Sequence, residues 1–141
     1  MGKRTKAREC AFQMLYQWDI TRDPMDRVAS LFWQVRTSTP ETQAMAERLA
    51  RGGQAEVARL DEAIAAASTN WRFERIAAVD RNILRIAAYE LMKEPQTPSS
   101  VIIDEAVEMA KRFGEADSPP FVNGVLDAVM RKVRGAGDGK R

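Results

Sequence analysis

Three carboxylates, Asp104, Glu105 and Glu108, come closest in spacing to an acid–base site. Asp104 and Glu108 are one helical turn apart, so they share the polar face on which a solvated helix carries its acids. The sequence has no histidine, no phosphate-binding loop and no nucleophile near this cluster. Serine–histidine and cysteine–histidine catalysis are therefore excluded, and there is no His/Cys set for zinc. We predict a solvated face, no enzyme activity, no metal and no cofactor.

Other residues with reactive or ligand-binding side chains also have a simpler structural interpretation. Cys10, the only cysteine, falls on an apolar helical stripe and is more typical of a small core residue than of a nucleophile. The three tryptophans are more typical of core or interface positions than of cofactor contacts. Arg81 and Arg85, one turn apart, suit either a ligand or water, and the sequence does not separate the two.

Positive charge is concentrated at the start of the chain, although the formal net charge is only +2. Residues 1–8 contain no acid and four cations, namely Lys3, Arg4, Lys6 and Arg8. Cations at the front of a helix oppose its dipole, at a cost of about 0.3–1 kcal/mol per charge. The segment therefore fits either a frayed, solvated terminus or an arm that becomes ordered on a polyanion. In the second case, Phe12 and Tyr16 offer faces on which single-stranded RNA bases stack.

Length and composition predict an ordinary globular chain. The 141 residues suffice for one domain with a sizeable core, expected to span residues 1–134. Apolar residues make up 45% and charged residues 30%, a balance that excludes disorder for most of the chain. No apolar run is long enough for a membrane span or a signal peptide, and one cysteine fits a reducing compartment. We expect a soluble, cytoplasmic protein that does not enter membranes and whose glycine- and charge-rich tail, residues 135–141, is disordered.

The most apolar helical segment covers residues 79–92, with apolar side chains at positions 79, 83, 84, 86, 87, 88 and 91. A helix that is apolar on most of its circumference must be covered by other helices. Asp80 suits the positive end of the helix dipole, and Pro95 ends the helix. We therefore predict that this helix lies at the centre of the fold. No stretch shows sustained alternation of apolar and polar residues, so we predict an all-α fold of about seven helices.

Capping residues define the expected starts of the surrounding helices. Thr39 followed by Pro40 combines a capping hydroxyl with proline at the first helical position. The side chains predicted to cap other helices are Thr5, Ser99 or Ser100, and Asp117.

Glycines mark the expected ends and close approaches of helices. Gly114 is predicted to be a left-handed stop, and Gly135 ends the last helix. Gly52 and Gly53 either stop a helix or allow two helices to pack closely at a kink. Gly124 is expected to let another backbone approach the last helix.

Three long segments resemble the NusB transcription antitermination family: KRTKARECAFQMLYQWD, VDRNILRIAAYEL and VIIDEAVEMAKRFGEADSPPFVNGVLD. The similarity extends from Arg4 to about Val133. It implies an all-helical fold of two three-helix subdomains packed around a central helix. It also implies binding to the boxA element of RNA together with the small-subunit ribosomal protein NusE. That pair would then join an antitermination complex on RNA polymerase, notably during ribosomal RNA transcription.

The resemblance assigns expected roles to particular residues. Those expected to bind RNA are Lys3, Arg4, Lys6, Arg8, Tyr16, Lys111, Arg112, Asp117, Ser118 and Asn123. Asn123 suits either a base edge or local bonding within the core. Glu74 and Asp80 are expected to face the basic ribosomal partner, although Asp80 also suits the helix dipole alone.

Two alternatives accompany this interpretation. The family fold also occurs attached to ribosomal RNA cytosine methyltransferases, and we expect no such activity because 141 residues leave no room for a catalytic domain. The second alternative is a helical protein-interaction adaptor, for which the basic arm is incidental. RNA binding that weakens in salt distinguishes an RNA-binding factor from an adaptor. Whether the free protein is a monomer or a homodimer stays open.

Overall fold

The computed structural model describes residues 2–135, and this part of the chain contains seven α-helices and no strand. The helices are α1 (Lys3–Thr21), α2 (Met25–Val35), α3 (Pro40–Ala55), α4 (Val57–Ala67), α5 (Ala78–Lys93), α6 (Ser99–Phe113) and α7 (Ser118–Arg134). The all-α prediction is confirmed for these residues. The predicted disordered tail lies outside the described residues apart from Gly135. None of the seven helices is long and apolar enough to cross a membrane.

Helix α5 is the central helix, as its apolar pattern predicts. It packs against α1 and α3 on one side and against α4, α6 and α7 on the other. Helix α2 completes the first group by packing on α1 and α3. The expected two groups of three helices around a central helix are therefore present. Residues Ile83, Leu84 and Ile86 are fully buried between the two groups, which is why α5 needs apolar side chains on most of its circumference.

The basic N-terminal segment is helical rather than a separate arm. Helix α1 begins at Lys3, and Gly2 precedes it without a side-chain cap. The prediction that Thr5 caps α1 is wrong, because Thr5 lies inside the first turn and its hydroxyl donates to Glu105 at 2.5 Å. The N-terminal cations are therefore held at fixed positions on a helix that continues into the core.

One predicted cap is confirmed, because the Thr39 hydroxyl accepts a hydrogen bond from the Thr42 N–H at 3.2 Å. The caps predicted for α6 and α7 are wrong. Helix α6 begins directly at Ser99 after Pro98, without a side-chain cap. Asp117 also makes no capping hydrogen bond at the start of α7.

The loop before α7 is closed by a different residue. The hydroxyl of Ser118 accepts a hydrogen bond from the Glu115 N–H at 2.9 Å. Gly114 is extended (φ −97°, ψ −167°), so the predicted left-handed stop is wrong. Gly135 has φ +91° and ends α7, as predicted.

Gly52 and Gly53 lie inside α3, so the prediction of close packing holds and that of a helix stop does not. A Cβ atom at Gly52 would lie 2.3 Å from the Tyr89 ring, whereas one at Gly53 would meet only Leu15, at 3.4 Å, and Ile86, at 3.8 Å. The expected backbone approach at Gly124 is wrong, since a Cβ there meets nothing within 4 Å.

Replacing Gly52 with alanine is expected to lower the free energy of unfolding by about 1–3 kcal/mol, because the new methyl group must displace the Tyr89 ring. Gly53→Ala is the matched control one residue along the same helix. It is expected to be neutral or to stabilise by up to about 1 kcal/mol, since alanine is the better helix former. Urea unfolding of both variants checks this, and equal stabilities would contradict the close approach at Gly52.

Candidate nucleic-acid and partner interface

The two predicted basic regions lie side by side, because side chains of α1 and α6 bridge the two helices. Thr5 and Glu105 are hydrogen bonded at the start of this contact. Further along, Glu9 pairs with Arg112, and the Phe12 ring is 5.4 Å from the ring of Phe113, centroid to centroid. The surface formed by the first turns of α1 and the end of α6 is therefore joined at this contact, while Lys3 extends it towards Glu41 of α3.

We call this surface the basic face. Its exposed cations are Lys3, Arg4, Lys6, Lys111 and Arg112. Lys3 pairs with Glu41 at 3.1 Å and Lys111 with Glu108 at 2.8 Å, in both cases between exposed side chains. Exposed ion pairs contribute only about 0–1 kcal/mol, so these lysines can exchange their partner for a phosphate at little cost.

Arg8 does not belong to the basic face. Its side chain is 3% exposed, and its guanidinium donates two hydrogen bonds, of 2.8 and 2.9 Å, to the Glu90 carboxylate, which is 1% exposed. A third donor contacts Glu105 at 3.1 Å. Burial lowers the pKa of Arg8, but the hydrogen bonds and charge of Glu90 and Glu105 outweigh it and raise the pKa. A phosphate cannot reach this group without leaving Glu90 buried and unpaired, so the expectation that Arg8 contacts RNA is corrected to a structural role.

An aromatic row runs along the edge of the basic face. Tyr16 is half-buried and 6.3 Å from Phe12, and Phe113 is half-buried beneath the guanidinium of Arg112 at 5.2 Å. The idea that Phe12 offers a stacking face is wrong, because its side chain is buried. In the sequence, Phe113 follows Ala106 and Ala110 at helical spacing, which favours a core position. Its position directly after Lys111 and Arg112 was the signal that could have placed it at the interface.

A cavity of about 500 Å³ lies between the start of α5 and the start of α7. It brings together Asp80, expected to face the protein partner, and Asp117 and Ser118, expected to bind RNA. Glu74 is exposed in the 3-10 turn before α5 and pairs with Arg72 at 3.6 Å. Asn123 is half-buried in α7 and is not among the residues that line the cavity.

The carboxylate of Asp80 is held in an unfavourable environment. Its Oδ1 atom is buried and accepts no hydrogen bond within residues 2–135. Burial raises the pKa of Asp80; the Ser118 hydroxyl lowers it in part, and the negative charges of Asp117 and Glu115 raise it further. The position of Asp80 in the first turn of α5 does favour a negative charge, but that effect is outweighed.

Asp80→Asn is therefore expected to raise the free energy of unfolding at pH 7 by about 0.5–1 kcal/mol. A carboxyl group whose pKa is raised in the folded state lowers the stability of the protein once the pH rises above the unfolded pKa of the group, about 3.9. The difference between the variant and the parent should thus vanish below that pH. Urea unfolding at several pH values tests this, with the exposed Glu62→Gln in α4 as control. A variant less stable than the parent at pH 7 would contradict it.

Neither Arg81 nor Arg85 is directed at a ligand or at bulk water. Arg81 donates to Asp19 at 2.6 Å, and Arg85 makes two hydrogen bonds to Asp61, of 2.7 and 2.8 Å. Both arginines therefore connect helices, which settles the alternative that the sequence left open.

The fold separates the three carboxylates that were predicted to share a solvated face. Glu105 turns inward to Arg8 and Thr5, so the expectation of a solvated face is wrong for this residue, while Asp104 and Glu108 are exposed. No group of residues suited to hold a metal ion is found in residues 2–135.

Comparison with known proteins shows the family of the chain. The NusB family model matches residues 5–131. A transcription antitermination protein NusB from Sorangium cellulosum is 49% identical over 133 residues, covering 94% of this chain and 95% of its own. Another from Anaeromyxobacter dehalogenans is 44% identical over 141 residues and 99% of both chains. Among solved structures, NusB from T. maritima superposes with a TM-score of 0.83 at 32% identity, covering 94% and 92% of the two chains. A complex of antitermination factors NusB and NusE with dsRNA contains a chain of the same fold, with a TM-score of 0.86 at 23% identity and coverage of 94% and 98%. The chain belongs to the NusB family.

Proposed function

We propose that this NusB-family protein acts in transcription antitermination by binding boxA-type single-stranded RNA together with the small-subunit ribosomal protein NusE. The pair joins the antitermination complex on RNA polymerase, notably during ribosomal RNA transcription. The role is non-enzymatic and cytoplasmic. The basic face carries this proposal. The names of the curated relatives support antitermination, and the name of the solved NusB–NusE complex with dsRNA supports RNA and NusE as partners.

The chemistry of the basic face suits single-stranded RNA. Its cations neutralise phosphates, and displacing counterions from the RNA supplies most of the binding free energy at low salt. Tyr16 and Phe113 beside them supply half-buried rings against which unstacked bases pack. Helix α1 fixes the backbone positions of Lys3, Arg4 and Lys6, so these cations are presented to the RNA backbone from a rigid element.

The second surface suits a basic protein. Glu74 is exposed, and Asp80 lies at the adjacent cavity. This surface is negative where the basic face is positive, so RNA and a basic ribosomal protein are directed to different sites on one molecule.

The test is fluorescence anisotropy with a labelled boxA-like RNA and a scrambled RNA, with and without the ribosomal partner, over a range of salt. We expect tighter binding of the boxA-like RNA, further strengthened by the partner. If the five cations of the basic face each neutralise one phosphate, the log–log salt slope should be about −3.5. The four N-terminal cations alone would give a slope of about −3. The structure changes this number because Arg8 is buried and α6 adds two cations.

The decisive variant combines Lys3→Ala, Arg4→Ala and Lys6→Ala and should flatten the slope by about 2. A charge-matched control removes three exposed arginines elsewhere, Arg27, Arg59 and Arg131. The control should retain the slope of the parent protein. Equal, weak binding of both RNAs that is insensitive to the partner would reject the proposal and favour the protein-interaction adaptor.

A further inference from the structure

The first turn of α1 carries three cations of the basic face, Lys3, Arg4 and Lys6, but its own sequence does little to keep it helical. Gly2 precedes the helix without a side-chain cap, and the first turn contains no acid. Its first N–H groups have no acceptor within the helix, and positive charge at this end opposes the helix dipole. Within α1, side chains become buried only from Ala7 onwards. Contacts from outside α1 are therefore needed to hold this turn in place.

Glu105 of α6 supplies such a contact. One oxygen of its carboxylate, Oε1, accepts a hydrogen bond from the Thr5 hydroxyl at 2.5 Å and another from the Arg8 guanidinium at 3.1 Å. Arg8 is 3% exposed and is itself fixed by two hydrogen bonds to Glu90, so it anchors Glu105 from the core side. A negative charge from another helix is thereby placed beside the start of α1, whose own first turn has none.

We propose that Glu105 is a positioning residue for RNA binding, which keeps the first turn of α1 helical through Thr5 and Arg8 in the free protein. A segment that is already ordered does not lose conformational entropy when it binds, so its affinity is higher. If the turn is helical in only a fraction of the molecules, the affinity is reduced to that fraction. The inference rests on the proposed function in that the ligand is RNA bound at the basic face, and it adds an acid to the residues on which that binding depends.

The sign of the effect separates this role from simple electrostatics. An acid beside a basic face repels phosphates, so removing its charge should by itself tighten RNA binding. Glu108, one turn further along α6, is exposed and pairs with Lys111 at 2.8 Å. Glu108→Gln is therefore the matched control, and it should tighten binding by up to about threefold. Glu105→Gln should instead weaken binding about fivefold, as expected if the turn is then helical in about a fifth of the molecules.

Thr5→Val tests the hydrogen bond to Glu105 without changing any charge. Valine is branched at Cβ like threonine and has a similar helix propensity, so the change chiefly removes the hydroxyl. The affinity for RNA should fall about threefold. The log–log salt slope should stay at about −3.5, because every cation of the basic face is retained. Fluorescence anisotropy with the boxA-like RNA over a range of salt measures both quantities.

NMR of the free protein shows whether the effect is local. In Glu105→Gln, the Cα chemical shifts of residues 3–6 should move from helical towards random-coil values, while those of residues 11–18 stay helical. Affinity for the ribosomal partner without RNA should not change, which a general loss of folding would not allow.

Gly2→Ser in the Glu105→Gln background tests whether a new cap can replace the lost contact. Gly2 is the N-cap residue with extended backbone, and a Cβ there meets nothing within 4 Å. A serine hydroxyl at this position accepts a hydrogen bond from an N–H of the first turn, so it should recover about twofold of the lost affinity.

Three results would overturn the inference. Glu105→Gln could bind RNA as tightly as Glu108→Gln does, or the Cα shifts of residues 3–6 could stay helical in Glu105→Gln. The third is weakened binding that Gly2→Ser does not recover, which would make Glu105 a direct RNA contact. Failure of the proposed function is a different result, because the parent protein then binds the boxA-like and scrambled RNAs equally. The Cα shifts of the free protein measure the ordering by Glu105 in either case.

Discussion

Replacing Arg8 with methionine is expected to lower the free energy of unfolding by about 3–5 kcal/mol. The substitution keeps most of the volume but leaves the Glu90 carboxylate, which is 1% exposed, without its bidentate partner. Glu105 and Thr5 lose a neighbour in the same network, although Glu105 remains partly accessible to water. The cost arises from the unpaired charge in the core, because burying a carboxylate without compensation is far more unfavourable than losing an exposed ion pair.

Urea unfolding measures this effect, and two further variants identify its origin. Lys6→Met removes an exposed cation two residues earlier in α1 and should change the stability by less than about 0.5 kcal/mol. Combining Arg8→Met with Glu90→Gln removes the orphaned charge and should recover part of the loss. If Arg8→Met instead retains stability and weakens RNA binding, Arg8 is an RNA contact, as the sequence resemblance implies.

Arg8 shows why sequence alone places helices better than it places the side chains that hold them together. The apolar pattern predicted the central helix over residues 79–92, and α5 covers Ala78–Lys93. The same pattern treats charged residues as outward-facing, and it therefore misses the three buried polar residues of α5: Asn82, Arg85 and Glu90. The partner of Arg8 is 82 positions away in the chain, and no local periodicity reports a contact over that separation.

The candidate site likewise has features that the sequence indicates and features that only the fold reveals. Resemblance to the NusB family led to the basic regions and to Asp80. The fold places the basic regions at the contact of α1 with α6, and Asp80 at the cavity between α5 and α7. The cavity itself could not be foreseen, because it forms where the connection before α5 meets the start of α7, between segments about 40 residues apart. The sequence leaves Trp71 as a core or an interface residue, and only the structure shows that it is 54% exposed.

Arg85 joins three helices, and its replacement by methionine is expected to lower the free energy of unfolding by about 2–4 kcal/mol. From α5 it makes two hydrogen bonds to Asp61 of α4 and lies 3.3 Å from the Asp19 carboxylate of α1. The loss should be smaller than for Arg8, because Asp61 is 26% exposed and water can partly replace its partner. Asp19 is only 4% exposed, but it retains the hydrogen bonds from Arg81 and Asn82. Arg59→Met, which removes an exposed cation of α4, is the control and should be nearly neutral.

Arg85→Met should also change how the free energy of unfolding depends on pH. Burial raises the pKa of Asp19, but the hydrogen bonds from Arg81 and Asn82 and the charges of Arg85 and Arg81 outweigh it and lower the pKa below its ordinary value. A carboxyl group with a lowered folded pKa stabilises the protein above its unfolded pKa, about 3.9, and that stability is lost as the pH falls towards the folded value. Removing Arg85 brings the folded pKa of Asp19 closer to the unfolded one. The free energy of unfolding of Arg85→Met should therefore fall less steeply than that of the parent between about pH 4 and pH 2, and urea unfolding across that range measures it. Parallel acid profiles would show that Arg81 and Asn82 suffice to hold Asp19 ionised without Arg85.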